Sequence, residues 1–408
     1  MSSSALRIGF IGAGFVANFH RLALQSVRGV ELSGVFALKG AEELAAASRA
    51  DGMGDTKVYS SIAKLCKEVD MVAILNPNFA RVETIRQIAK AAGQSKLLGV
   101  VCEKPLGRTV GEALEIVAQA SGAGLRTAYF ENQIHMQCVT GCRKQLAKVA
   151  AKMGPVHLTR SAEEHGGPHQ PWFWDPTQQG GGVWSDMGCH SAAVGMFMLT
   201  PDGEPLDFLK PTEVNATMAL LKWGREPWIS QLKARGVDYK KTPAEDYATV
   251  TIKFKNPKTG QIVIAQATDS WMYDAPGLRL LMEAMGPGYS YGVNSLTSPA
   301  GLFISDAAAE AIGDAEVALE KSQAQRGSLI VQPDEPRLYG YVDEWIDAAN
   351  AFRNNRDACL NFAYGARVTR LIAAGYLSSE TKKTVSFDDV ADDYIPKIHR
   401  GQGASVLK

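Results

Sequence analysis

The first third of the chain alternates short, continuously apolar segments with longer amphipathic ones. Strands are predicted at Leu6–Ile11, Val30–Ala37, Met71–Leu75, Leu97–Cys102 and Arg126–Phe130. Helices are predicted between them at Asn18–Ser26, Ala41–Ala50, Arg81–Ala92 and Val110–Ala120. Apolar strands joined by helices indicate a parallel sheet covered on both faces, as in α/β proteins. This pattern stops near residue 135, where we place the end of the first domain.

The second part of the chain has a different pattern. A helix is expected at Val139–Lys152, and helices return at Tyr339–Arg353 and Tyr364–Ser379. Segments rich in Thr, Val and aromatic residues, separated by turn signals, predict strands at Val156–Arg160, Thr212–Leu221, Ala248–Lys255, Gln261–Ser270 and Leu278–Met285. We therefore predict an α+β domain with an antiparallel or mixed sheet over residues 136–385. The polar tail, residues 386–408, is expected to be partly disordered.

Composition and charge narrow the class of protein. The 408 residues are 46% hydrophobic and 21% charged, as in an ordinary soluble enzyme. Lys plus Arg and Asp plus Glu both number 43, and this balance argues against nucleic acid or an anionic membrane as a partner. The N-terminal residues have no secretion-signal pattern, so we expect a cytoplasmic protein. Its six sparse cysteines are expected to be free thiols, and Cys138-x-x-x-Cys142 is a poor zinc pair.

A glycine-rich turn joins the first predicted strand to the first helix. Gly12-Ala13-Gly14-Phe15-Val16-Ala17 is a G-x-G-x-x-A pattern. Gly12 permits the tight turn, Gly14 lets the backbone approach a pyrophosphate, and Ala17 permits close packing of helix on strand. The helix N-terminus adds N–H donors and partial positive charge. We predict a dinucleotide site here; the alternative is a glycine-rich turn without a ligand.

The end of the second strand bears on the choice of cofactor. A carboxylate there would bind the adenosine ribose and select NAD. Glu31 begins the strand, and the strand ends at Phe36-Ala37-Leu38-Lys39 without an acid. Lys39 is either a pairing partner for a 2′-phosphate or a solvated loop residue. The cofactor is therefore NAD or NADP, with a slight preference for NADP.

Two further segments carry candidate chemistry. Glu103-Lys104-Pro105 follows a buried strand at the edge where open α/β sheets bind ligands, so Lys104 faces a reacting oxygen or is a surface lysine. Gly180-Gly-Gly leads through Ser185, a good N-cap, toward Ala192–Leu199. If this segment is one helix, Asp186 and His190 lie four residues apart on one side. A histidine near a helix start favours the neutral form that a general base needs; the alternative is a capping Asp with a core His.

Aromatic, basic and acidic residues cluster just upstream of that segment. The cluster contains Arg160, Glu163, Glu164, His165, His169, Trp172, Trp174 and Asp175. Such a mixture suits stacking on, and hydrogen bonding to, a polyhydroxylated ring. Gly-Gly-Pro separates His165 from His169 and prevents a regular helical ligand pair, so we predict no metal site.

These motifs, in this order, resemble the glucose-fructose oxidoreductase, inositol dehydrogenase and rhizopine-catabolism (Gfo/Idh/MocA) family. The G-x-G-x-x-A loop, the Glu103-Lys104-Pro105 triplet and the segment ending in Asp186-x-x-x-His190 each look like its signatures. The resemblance implies a Rossmann domain over residues 1–135, then a large, open, predominantly antiparallel sheet. It also implies that Lys104, Asp186 and His190 match the catalytic residues, that a cis peptide precedes Pro105, and that open sheets pack into a homodimer or homotetramer.

The sequence departs from the family pattern at two places. Many members carry an acid three residues after the histidine, where this chain has Ala193. Many also have Thr-Pro-Asn followed by a histidine after the third strong strand. Here Asn76-Pro77-Asn78 is followed by Phe79-Ala80-Arg81. Substrate specificity is therefore not carried over in detail.

We predict an NAD(P)-dependent dehydrogenase that transfers a hydride between nicotinamide and a CH–OH carbon of a sugar, glycoside or cyclic polyol. Candidate cofactor-binding residues are Gly12, Gly14, Phe15, Val16, Ala37, Lys39, Asn76, Pro77, Glu103 and Lys104. Candidate substrate-binding residues are Asn132, Arg160, His165, Trp172, Asp186 and His190. Two alternatives stay open: a redox-neutral NAD-dependent glycoside-cleaving enzyme, and a non-enzymatic NAD(P)-sensing regulator.

Overall fold

The computed structural model describes residues 5–274, 277–295, 301–304, 327–330 and 335–407. The chain forms two compact units. The first combines Met1–Gln137 with Pro336–Thr369, and the second combines Cys138–Glu335 with Arg370–Lys408. The predicted domain boundaries run consecutively along the sequence, so they do not describe this return of residues 336–369 to the first unit.

The first unit contains a fully parallel sheet. Its strands are β1 (Leu6–Ile11), β2 (Val30–Phe36), β3 (Lys57–Val58), β4 (Met71–Ile74), β5 (Gly99–Glu103) and β6 (Arg126–Phe130). Their order is β3-β2-β1-β4-β5-β6. All residues of β4 and β5 are buried, which explains their continuous apolar sequence. The order reverses between β1 and β4, the place where Rossmann folds bind dinucleotides.

Helices accompany this sheet. They are α1 (Phe15–Leu24), α2 (Ala41–Ala50), α3 (Ile62–Glu68), α4 (Arg81–Ala92), α5 (Val110–Gly122), α6 (Asn132–His135), α12 (Glu335–Leu338) and α13 (Tyr341–Arg353). Helix α13 packs against α1. Its Trp345 is fully buried, and the ring lies edge-on to Phe130 with 4.8 Å between centroids. This apolar contact explains why a helix from the far end of the sequence belongs to the first unit.

The second unit contains a seven-stranded mixed sheet. Its strands are β7 (Leu158–Glu164), β8 (Lys210–Ala219), β9 (Tyr247–Lys255), β10 (Ile262–Ser270), β11 (Arg279–Gly286), β12 (Tyr289–Asn294) and β15 (Val385–Ser386). The order is β12-β11-β7-β10-β9-β8-β15, and only the β7–β10 pair is parallel among these strands. The predicted, predominantly antiparallel sheet is confirmed. A separate ribbon pairs β13 (Gly301–Ile304) with β14 (Gly327–Ile330).

The second unit also contains helices. They are α7 (Gln137–Met153), α8 (Pro176–Gln179), α9 (Val183–Asp186), α10 (Gly188–Leu199), α11 (Trp228–Ala234) and the later part of α14 (Phe362–Thr381). Helix α10 is buried along its whole length and packs on β7 and β10. A Cβ on Gly195 would lie 3.0 Å from the Ala265 Cβ, so the glycine permits this close approach.

The polar tail is ordered over residues 387–407, so the expectation of partial disorder is wrong for that stretch. Val390 and Ile398 are buried in the second unit. The Lys397 N–H donates to the Glu380 carboxylate, and the His399 Nδ1 lies 2.9 Å from the Pro176 carbonyl oxygen. In the part of the chain that the structure describes, no helix is both long enough and apolar enough to cross a membrane.

Candidate functional site

The phosphate loop has the geometry that its sequence predicts. Gly12 follows β1 with φ +119°, and a Cβ there would lie 2.7 Å from the Leu75 backbone, so only glycine fits. A Cβ on Gly14 would meet nothing within 4 Å, which leaves open space in front of α1. Ala17, the third residue of α1, is fully buried. A glycine cradle opening onto an uncovered helix N-terminus fits the pyrophosphate of a dinucleotide.

The turn after β2 is exposed. Leu38 is 94% exposed, and Lys39 is also exposed. Gly40, with φ +75°, is the residue before α2. Glu31 is the second residue of β2, at the end remote from this turn, and its carboxylate accepts from Ser33 Oγ. Lys39 is therefore the charged side chain nearest in sequence to the end of β2.

The Glu103-Lys104-Pro105 triplet stands at the carboxyl end of β5, and the Lys104–Pro105 peptide is cis. The buried Glu103 carboxylate lies 2.9 Å from His20 Nε2. The Trp345 indole N–H donates to His20 Nδ1 at 3.0 Å. Because indole only donates, Nδ1 must accept, and the Nε2 proton then points at Glu103. The side chain before Lys104 is thus held by a histidine whose orientation is itself fixed.

A buried acid lies beside this histidine. Glu344 Oε1 is 3.9 Å from His20 Nδ1. Burial, with added repulsion from Glu103 and Glu131, raises the pKa of Glu344 well above its ordinary value. His20, Glu103 and Glu344 lie close enough together to hold a metal ion. Both ring nitrogens of His20 are already in hydrogen bonds, so a metal would have to displace one of them; the predicted lack of a metal stays a prediction.

Arg81 contacts the backbone of the same triplet. It is buried at the start of α4, with 4% of its surface exposed. Its Nη1 donates to the carbonyl oxygens of Glu103, at 2.6 Å, and of Pro105. Its Nη2 donates to the Lys104 carbonyl oxygen at 3.1 Å, and its Nε reaches the Asn76 carbonyl oxygen at 3.4 Å. One guanidinium therefore joins the ends of β4 and β5.

The segment that carries Asp186 and His190 is not one helix. Asp186 ends the one-turn helix α9, Met187 stands between the helices, and His190 is the third residue of α10. The condition of a single helix is therefore not met, and Ser185, predicted as an N-cap, lies inside α9. A Cβ on Gly188 would lie 2.1 Å from the Trp184 ring, so that ring packs directly on the backbone at the start of α10. His190 does lie near a helix start, as expected.

Glu245 and Tyr376 hold the glycine-rich segment before Asp186. The Gly182 and Trp184 N–H groups each donate to Glu245 Oε1 at 3.0 Å. The Tyr376 hydroxyl donates to the same oxygen at 2.6 Å and accepts from the Ser185 N–H at 3.1 Å. Burial raises the pKa of Glu245 to about 7, and these hydrogen bonds oppose the shift. The loop backbone is therefore bound to a buried carboxylate instead of to water.

His190 faces carboxylates from the sheet. Its Nε2 lies 4.0 Å from Glu163 Oε2, and both side chains are nearly fully buried. Asp269 pairs with Glu163 in the β7–β10 register, so the two side chains share a face. Ser191 Oγ donates to Asp269 Oδ1 at 2.7 Å. Burial, with the Glu163 charge adding, raises the pKa of Asp269 well above its ordinary value.

The other predicted substrate-binding residues lie in different elements of the two units. Arg160 is exposed on the sheet face opposite Glu163 and contacts Gln266 and Glu283, so the structure does not bring it to His190. Asn132, in the first unit, donates to the Tyr339 carbonyl oxygen at 2.8 Å. His165 is fully buried, and its Nδ1 accepts from the Gly167 N–H. Trp172 stacks on Phe173 with 3.9 Å between centroids.

Several residues that shape these sites were not among the predicted site residues. His20, Arg81, Glu245 and Tyr376 each bind a motif from a distant part of the sequence, so local spacing contains no signal for them. Arg81 did stand out as a departure from the family pattern, and a buried arginine opening a helix is a usable signal. Glu163 was noted only as a member of the upstream cluster.

The fold and these sites define a dinucleotide-binding protein with a second, mixed-sheet unit. A family model described as an oxidoreductase family with an NAD-binding Rossmann fold matches residues 6–130. The Gfo/Idh/MocA C-terminal domain matches residues 147–281. The chain therefore belongs to the Gfo/Idh/MocA family of oxidoreductases, as the resemblance predicted. No curated protein matches the sequence.

Solved structures share the whole fold at low sequence identity. GenD2 from gentamicin A biosynthesis, solved in complex with NAD, has a TM-score of 0.73 and 21% identity over 95% of this chain and 97% of its own. A myo-inositol dehydrogenase from Corynebacterium glutamicum has a TM-score of 0.67 and 17% identity over 94% and 98%. A levoglucosan dehydrogenase, solved with NADH and levoglucosan, has a TM-score of 0.68 and 18% identity over 94% and 99%.

Proposed function

We propose that the protein is an NAD(P)-dependent dehydrogenase that moves a hydride between nicotinamide and a hydroxyl-bearing carbon of a sugar, glycoside or cyclic polyol. We further propose that it works in the cytoplasm as a homodimer or homotetramer. Inositol and levoglucosan dehydrogenases among the similar structures support this substrate class. Their identity to this chain is too low to name one substrate.

One observation supports the proposal most strongly. At the edge of the parallel sheet where dinucleotides bind, the glycine loop follows β1, Asn76-Pro77 follows β4, and Lys104 follows β5. Arg81 binds the backbone carbonyl groups of Glu103 and Lys104, and His20 holds the Glu103 side chain, so this lysine is more firmly held than a surface lysine. A lysine held in this way is suited to act on a reacting oxygen.

The proposed chemistry needs a hydride acceptor, a base and a hydrogen-bond donor to the reacting oxygen. A bound nicotinamide nucleotide supplies the hydride acceptor. His190 takes the proton of the substrate hydroxyl, and Lys104 donates a hydrogen bond to the oxygen as negative charge develops on it. Asp186 orients His190 or binds a neighbouring hydroxyl. These roles for Lys104, Asp186 and His190 rest on the family resemblance.

The exposed turn after β2 supports a preference for NADP over NAD. Ala37, Leu38 and Lys39 place no carboxylate beside the ribose position, and Lys39 is free to reach a 2′-phosphate from its exposed position. Arginine or lysine there favours the phosphate electrostatically. Binding of the two nucleotides to the same preparation decides the preference.

Replacing Lys104 by alanine tests the proposed function. We expect turnover to fall by roughly 10²- to 10⁴-fold, because a group that stabilises the developing charge is lost, while nucleotide affinity changes little. Turnover is followed by nicotinamide absorbance, and affinity by nucleotide fluorescence. Lys96→Ala is the matched control, since Lys96 is an exposed lysine just before the same strand, β5. Equal turnover in the two variants would contradict the assignment.

A further inference from the structure

The buried guanidinium of Arg81 is unusual in what it binds. Each hydrogen bond that the structure gives it ends on a backbone carbonyl oxygen, three of them from the consecutive residues 103, 104 and 105. Burying a charge is costly unless hydrogen bonds replace its water. Here the three carbonyls of one turn supply that replacement. The arginine and the turn therefore depend on each other.

The shape of the guanidinium explains why three successive carbonyls can meet it. Its five N–H donors lie in one plane at fixed angles, and each peptide unit is itself planar. Carbonyls that converge on one rigid fork set the orientation of the peptide planes on both sides of the Lys104 Cα. The direction in which the Lys104 side chain leaves the backbone follows from those planes.

Two neighbouring features of the turn act elsewhere than on its carbonyl groups. The His20 contact acts on the Glu103 side chain, and Pro105 has no N–H to donate. The Asn76 carbonyl also reaches the Arg81 Nε, so the same side chain connects the turn to the end of β4. Arg81 therefore adds a side-chain link between Lys104 and the end of β4 to the pairing of strands β4 and β5.

We propose that Arg81 is the positioning residue for Lys104, because its guanidinium clamps the carbonyl groups of residues 103–105. This inference rests on the proposed function, in which Lys104 acts on the reacting oxygen. Arg81 itself touches backbone only. A displacement of about 1 Å in a reacting group can reduce turnover by roughly 10²-fold, so a loosened clamp is expected to act on turnover before it acts on binding.

Two variants and one control test the clamp. Arg81→Met keeps the length of the side chain and removes every donor, whereas Arg81→Lys keeps the charge and part of the hydrogen bonding. Arg86→Met is the control, since Arg86 is a half-exposed arginine on the same helix whose Nε pairs with Glu115. Thermal unfolding of all three proteins verifies that they are folded. If Arg81→Met does not fold, Arg81→Lys supplies the same comparisons.

The first measurement needs no substrate. Hydrogen exchange by mass spectrometry is followed on a peptide covering residues 99–110 in the full-length protein. We expect faster exchange in this peptide for Arg81→Met, intermediate exchange for Arg81→Lys, and no change for Arg86→Met. Unchanged exchange in folded Arg81→Met would overturn the clamp. This result stands even if the wild-type protein oxidises none of the sugars tested, which is how failure of the proposed function would show itself.

The second measurement separates positioning from general stability. With a sugar or polyol that the wild-type protein oxidises, we expect Arg81→Met to lower kcat by roughly 10²-fold, with a smaller change in KM and in nucleotide affinity. Arg81→Lys is expected to recover part of kcat. A kcat within twofold of the Arg86→Met value, or losses confined to KM, would overturn the positioning role.

Discussion

His190 has carboxylates from the sheet beside it, and not an acid from its own helix. Position 193, where many family members carry an acid, is a buried alanine in this protein. Glu163 of β7 lies 4.0 Å from His190 Nε2, and burial raises the pKa of the neighbouring Asp269. Both acids stand under the first turn of α10, and Glu163 is placed to stabilise a positively charged imidazole.

Replacing Glu163 by glutamine tests this role. A carboxylate 4.0 Å from His190 favours the imidazolium, so its removal lets the histidine lose its proton at lower pH. We expect the acid limb of the pH profile of kcat/KM to move down by roughly one pH unit. Glu164→Gln is the control, because Glu164 is the next residue, points to the other face and pairs with Arg279. If the acid limb of kcat/KM stays at the same pH or moves to higher pH in Glu163→Gln, Glu163 does not stabilise the charged His190.

Residues such as these mark the limit of prediction from the sequence. Lys104, Asp186 and His190 are predicted as catalytic residues because each stands in a short motif. Glu163, Arg81 and Glu245 act across distances of tens of residues in the sequence, and only strand register and helix packing bring them to those motifs. Their positions are properties of the fold, and no local spacing encodes them.

The segment from Gly180 to Leu199 shows how packing changes an element. One interpretation of its sequence puts Asp186 and His190 in a single helix, but the structure has two helices, α9 and α10, on either side of Met187. The Trp184 ring packs on Gly188, and its N–H donates to the Ile372 carbonyl oxygen. Glu245 accepts the Gly182 and Trp184 N–H groups at the start of α9. These tertiary contacts, and not helix propensity, set where α9 begins and ends.

Glu245 gives this element a predicted dependence on pH. Its pKa in the folded protein is about 7, above the ordinary 4.5, so the folded state prefers the protonated acid. A carboxyl of this kind destabilises the fold as pH rises between the two values, by an amount on the order of 3 kcal/mol. We expect the free energy of unfolding of Glu245→Gln to lack this decrease between pH 4.5 and pH 7. The free energy is measured by urea denaturation at both pH values.

The same titration has a direct control in the second unit. Glu213, which pairs with Lys253 on the partly exposed side of the sheet, is replaced by glutamine in the control protein. The difference between wild type and variant isolates Glu245 from other acids that titrate in the same range. A Glu245→Gln protein that loses stability with pH as steeply as the wild type would refute the prediction.

Other elements follow their sequence patterns closely. Every strand and helix predicted from the sequence has a counterpart in the structure. Apolar periodicity indicates which positions are buried, and the buried positions of this chain pack on its two sheets. The elements that were not predicted include the strands β3 and β12 and the helix α3. Strand β3 has two residues, and β12 alternates between half-buried and exposed positions without a continuous apolar run. Short or weakly buried elements give little pattern to detect.

At the scale of the whole molecule, the sequence does not predict which unit two C-terminal segments join. Residues 336–369 join the first unit, where Trp345 packs on Phe130 and binds His20. The polar tail joins the second unit through a few buried side chains and hydrogen bonds to helix α14 and Pro176. A pattern along one segment reports that the segment is buried, but it does not report which unit buries it.

The activity proposed for this protein is hydride transfer to or from a carbohydrate or polyol. The most direct test is absorbance at the reduced-nicotinamide band, with NAD and NADP each mixed with a panel of sugars, inositols, levoglucosan and simple aryl glycosides. We expect the absorbance to rise with at least one sugar or polyol, and to rise more with NADP than with NAD. No rise with any substrate, together with aryl alcohol released only by the nucleotide-loaded protein, would contradict the proposed activity in favour of redox-neutral glycoside cleavage.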